Sequence, residues 1–130
     1  MGYAMKLSTA LRGNAAFTAI CAGICIAAPD WVTVHSALPG RIWALGLGAM
    51  LALFVPMLLF ASTRPSAWLV KTIIALDWAY VMIATAFLLT HLDEADAIGI
   101  ALMIVTIAVV SVFARLQMRG LAAMPWGARA

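Results

Sequence analysis

The chain has 130 residues, 66% of them hydrophobic and 10% charged, with a formal net charge of +3. Soluble domains average roughly 45–50% apolar and about 25% charged. A chain this short cannot hide so much apolar surface from water, so the composition excludes an ordinary soluble domain and makes a bilayer the natural solvent. The basic excess alone would also suit a nucleic-acid binder, but its placement along the chain fits membrane topology better.

In chain order, the first apolar run covers residues 7–28, "LSTALRGNAAFTAICAGICIAA", and stops at Pro29. Asn14, Thr18, Cys21 and Cys25 recur at i, i+4, i+7 and i+11, forming one polar-to-small stripe of a helix. Ala15, Ala19 and Gly23 recur every four residues, a spacing that lets helix backbones approach closely in lipid. The i, i+4 cysteine pair matches neither a CxxC motif nor a zinc pattern, so both thiols read as packing residues. Lys6 and Arg12 before an apolar stretch ending "CIAAPD" also resemble a signal peptide. Against that, Arg12 and Asn14 interrupt the apolar segment, and its removal would leave three spans.

The linker "PDWVTVHSALPG" leads to a second run over residues 41–62, where Ala44, Gly48 and Ala52 repeat the small-residue spacing and Pro56 predicts a kink. After "STRPS" comes the third run, residues 66–90, with Asp77 near its middle and Tyr80 three residues on, sharing its face. Lys71 lies six residues before Asp77, about 120° away around a helix, and reads as a side chain reaching to the membrane surface. "HLDEADA" then reads as an acidic cap for the fourth run, residues 97–117, which places Thr106 near mid-membrane. His35 and His91 share the far side with these acids. They read as solvated loop histidines, with no metal site assigned.

Each run is about 20 residues, enough to span the hydrocarbon core as a helix. The runs are too long, and lack the alternation, for barrel strands. Short links make neighbouring helices antiparallel. The expected fold is therefore all-α: an antiparallel four-helix transmembrane bundle in one membrane domain, residues 1–130. Lys6, Arg12, Arg64, Lys71, Arg115, Arg119 and Arg129 fall on one side and only Arg41 on the other, which puts both termini in the cytoplasm. Asp30, Asp93, Glu94 and Asp96 lie opposite, leaving Asp77 alone inside the membrane. The tail after Pro125 reads as loose.

An ionised carboxylate at mid-bilayer costs about 2.5–3.5 kcal/mol even on the lenient insertion scale. Asp77 must therefore face the interior, take up a proton, or find a partner. Rise along the first and third helices puts Thr18 at its depth, Asn14 about one turn lower and Arg12 lower again. Asn14, Thr18, Asp77, Tyr80 and Thr106 are thus expected to form one buried polar layer, with Arg12 able to reach toward it. Two roles stay open for the acid: a link between helices or a proton or ligand site.

No nucleotide loop, nucleophile–base set, HExxH or CxxCH motif occurs. An enzyme is therefore the least supported class, and neither cofactor nor metal is expected. "LRGNAAF" in the first helix, "LDWAYV" in the third and the closing "FARLQMRGL" resemble an uncharacterised family of small four-span bacterial integral membrane proteins. The resemblance implies a multi-pass protein of the bacterial inner (cytoplasmic) membrane, and it nominates Arg12, Asn14, Asp77, Trp78 and Gln117. Small multidrug transporters share the size and span count, but their embedded acid lies in the first helix, where this chain has none. Two function classes follow. One is a non-catalytic accessory or interaction component packing through small-residue faces against a second copy or a larger membrane complex. The other is a small oligomeric transporter or ligand-binding protein that uses Asp77.

Overall fold

The structure is a computed structural model and describes residues 2–124. It contains five helices in the order α1 (Gly2–Ala27), α2 (Pro29–His35), α3 (Arg41–Thr63), α4 (Ala67–Thr90) and α5 (Ala97–Ala122), with no strand among the described residues. α1, α3, α4 and α5 are long and apolar enough to cross a membrane. Their outer surfaces suit lipid and would be costly in water: Leu53 is 78% exposed, Ile42 74% and Trp68 73%.

Three boundaries differ from the sequence expectation. α1 already starts at Gly2 and α5 continues to Ala122, one turn and more beyond Gln117. Neither outer turn is apolar throughout, so hydropathy alone trims both. The linker after Pro29 is not a plain loop. Ala28 leaves the helical conformation (φ −133°, ψ 55°), and Pro29 then opens α2 at a first-turn position where its missing N–H costs nothing. Helix ends elsewhere follow their caps. The Ser66 side chain accepts from the Leu69 N–H at 3.3 Å, and Asp96 accepts from the Gly99 N–H at 2.9 Å. α3 continues through Pro56 without a break. The tail from Pro125 on, Arg129 included, lies outside the described residues.

α1 packs most closely against α3. Ser8 Oγ donates to the Ser62 carbonyl at 2.9 Å near one end. Farther along, Gly48 sits against Ala22 and Cys25. α5 meets α1 at Gly120, where an added Cβ would lie 2.9 Å from Leu7 Cβ and 3.2 Å from Leu7 Cα. The absent side chain lets the two backbones close at that point. Beside it lies the main apolar cluster: Leu7, Leu11 and Ala15 of α1, Leu58 and Ala61 of α3, Val70, Ile73 and Ile74 of α4, and Met124.

The contact face of α1 therefore runs through Leu7, Leu11, the adjacent pair Asn14 and Ala15, Thr18, Ala22 and Cys25, with three or four residues between successive turns. Of the small residues expected to pack, Ala15, Ala44 and Gly48 are buried, whereas Ala19, Gly23 and Ala52 face outward. Ala19 and Gly23 are four and eight residues from Ala15. A four-residue step overshoots a full turn by about 40°, so a strict four-residue stripe drifts off the buried face.

Candidate functional site

One helical turn beyond the apolar cluster, three polar side chains meet. Asn14 follows Leu11 by three residues on α1, Asp77 follows Ile73 by four on α4, and Gln117 precedes Gly120 by three on α5. The close approach at Gly120 and Leu7 thus brings Gln117, one turn away, within reach of Asn14. All three are sealed from the surface: Gln117 is 0% exposed, Asn14 1% and Asp77 4%.

Their hydrogen bonds close a ring. Asn14 Nδ2 donates to Asp77 Oδ2 at 2.9 Å, and Gln117 Nε2 donates to the same oxygen at 2.7 Å. Asn14 Nδ2 also donates to Gln117 Oε1 at 3.0 Å. Thr18 Oγ1 extends the ring by donating to Asn14 Oδ1 at 3.2 Å, which fixes the amide orientation. One carboxylate oxygen is thus served by two amides from two other helices. Asp77 Oδ1 accepts no hydrogen bond among the described residues, and no lysine, arginine or histidine among them forms an ion pair with Asp77.

Arg12, expected to be able to reach toward the acid, forms no ion pair with it, and neither does Lys71, read as reaching to the membrane surface. Arg12 and Lys71 are both exposed. Long basic side chains near helix ends turn toward the membrane surface, where their charge stays hydrated. The expected single polar layer is instead two separate links. Tyr80 Oη donates to Thr106 Oγ1 at 3.1 Å, joining α4 to α5 apart from the ring. Thr106 lies eleven residues, about 16 Å of helix, from Gln117, too far to share its level.

Gln117 completes the ring, yet the polarity and depth arguments bypassed it in favour of Thr106. Its signal was present. It lies seven residues after Val110 and three before Gly120, all on the buried face of α5. Reading α5 as ending at Gln117 treated that residue as a terminus, whereas the helix carries it more than a turn inside.

At the opposite end, α2 is fastened to the start of α5. His35 Nδ1 lies 2.6 Å from Asp96 Oδ2, and the His35 ring meets Trp31 edge-on with centroids 4.8 Å apart. The Gly99 Cα also abuts the His35 carbonyl, so any side chain at position 99 would collide with backbone. The Asp96 carboxyl is held below its usual range, first by the Gly99 N–H and then by His35. His91 instead turns back onto its own helix, with Nδ1 2.9 Å from the Phe87 carbonyl and the ring stacked on Phe87.

The ring can bind helices together, and it can present one carboxylate to a proton. Its groups supply no nucleophile paired with a base. Comparison with family models, curated proteins and solved structures gave no significant match.

Proposed function

We propose that the chain is a small integral protein of the bacterial inner membrane, a non-catalytic accessory or interaction component, and that Asp77 is structural. In this reading the fold is an antiparallel four-helix bundle with both termini cytoplasmic. The Ser8–Ser62 and Leu7–Gly120 contacts support the antiparallel arrangement. Lys6, Arg12, Arg64, Lys71, Arg115 and Arg119 at that end, against Arg41 at the other, support the orientation.

The observation that carries the proposal is the double donation to Asp77 Oδ2 from Asn14 and Gln117, at 4% exposure and with an apolar turn beside it. Such a carboxylate fastens α1, α4 and α5 together. Ala19, Gly23 and Ala52 remain on the outside, where a second copy or a larger membrane complex can approach closely.

One observation favours a second reading, a small oligomeric transporter or ligand-binding protein. Asp77 has an unoccupied oxygen and no cation in reach, as a protonatable site would. Vesicles loaded with a pH-sensitive dye separate the two. If Asp77 is structural, reconstituted wild type and Asp77→Asn give the same slow collapse of an imposed pH gradient, and the variant differs in thermal stability. Fast, protein-dependent collapse that Asp77→Asn abolishes at unchanged stability would establish the second reading.

A further inference from the structure

The end of the bundle that gathers the cations also holds a groove between α4 and α5. Lys71, Ile74 and Ala75 form one wall, and Met118, Leu121 and Ala122 the other. Spacings of three and four residues put each set on one helix face. Two turns along from Lys71, the Trp78 indole N–H donates to Met118 Sδ at 3.4 Å and joins the walls. The trough between Lys71 and Trp78 is therefore about 10 Å long. It is apolar, with a single ammonium group at the end nearer the start of α4.

Charge says what fits. Lys71 is exposed, as are Lys6, Arg12, Arg64, Arg115 and Arg119. The two ion pairs among the described residues, His35–Asp96 and Arg41–Asp30, lie at the other end. Asp77, the one acid nearer this end, is buried and engaged by Asn14 and Gln117. Lys71 thus offers positive charge without a carboxylate to match it, beside an apolar trough on a membrane-spanning surface. A phospholipid with an anionic headgroup complements both parts: an acyl chain covers Ala75, Met118 and Leu121 while a phosphate oxygen meets the ammonium. A free anion would leave the trough uncovered.

We propose that this groove is a binding site for one anionic phospholipid, with Lys71 as its headgroup contact. The proposal rests on the membrane placement of the helices and is independent of what Asp77 does. It is tested on the full chain in detergent, by native mass spectrometry during titration with phosphatidylglycerol or phosphatidylcholine. Phosphatidylglycerol is expected to bind preferentially. Lys71→Gln weakens it about fivefold, and Arg64→Gln, which removes an equal charge outside the groove, by less than about twofold. Ala75→Phe fills the trough, keeps the charge and also weakens binding, and inorganic phosphate does not compete. All three positions are exposed, so the variants retain the fold. Equal losses for Lys71→Gln and Arg64→Gln, an unaffected Ala75→Phe variant, or displacement by phosphate would each overturn the site.

Discussion

Asp77 and Asp96 each accept two hydrogen bonds of similar length, 2.7 and 2.9 Å for the first, 2.6 and 2.9 Å for the second. Their surroundings differ in almost every other respect. Asp77 is closed off, meets side chains from two other helices and has no cation. Asp96 is exposed, caps its own helix and has a histidine beside it. Water can replace a lost partner at Asp96 but not at Asp77. The same functional group therefore holds the middle of the bundle as an all-or-none network, and its rim as a local fastening.

The largest expected effect breaks the network. Asn14→Leu removes one of the two donors to Asp77 Oδ2, the donor to Gln117 Oε1 and the acceptor for Thr18, so that Gln117 Oε1 and the Thr18 hydroxyl are buried without those partners and Asp77 keeps only Gln117 Nε2. It should cost about 2–4 kcal/mol in a reversible denaturation in detergent or bicelles. Gly99→Ala should come next, at about 1–3 kcal/mol, because backbone rather than a flexible side chain must yield. Its signature differs: faster hydrogen exchange across α2 and the start of α5, with exchange around Asn14 unchanged. Tyr80→Phe removes the isolated link to Thr106 and should cost about 0.6 kcal/mol, the average for such bonds in a membrane.

The smallest effect is the pH response at the rim. The Asp96 carboxyl titrates below its ordinary value in the folded protein. Its contribution is therefore complete above the unfolded value of about 3.9 and fades as pH falls through the lowered one. Exchange protection in α2 should hold through the neutral range and drop only in strong acid. Asp96→Asn, which still caps the helix, should flatten that drop.

The four spans were legible because length and hydropathy are local properties, and so was the acidic cap of α5. Asn14 and Thr18 emerged as candidates near Asp77 because helix rise and periodicity are regular, but the rise argument set Thr18 at the depth of the acid, whereas Asn14 meets the carboxylate and Thr18 reaches only Asn14. Gln117 was harder. Its contact depends on α5 approaching α1 at Gly120, and on the helix outlasting its apolar run. The outward turn of Ala19 and Gly23 was hidden for a related reason, since the register of α1 against α3 is set by the whole face from Leu7 to Cys25. α2 has only seven residues, too few for periodicity to separate it from a loop.

The central claim is that Asn14, Asp77 and Gln117 form one structural unit. It is tested most directly by comparing the stability of Asn14→Leu with that of the combined Asn14→Leu, Asp77→Leu, Gln117→Leu variant. If the unit is structural, removing all three polar groups leaves only the Thr18 hydroxyl without its partner, as the single variant also does, and the triple variant is at least as stable as the single one. A triple variant whose losses simply add would contradict the account.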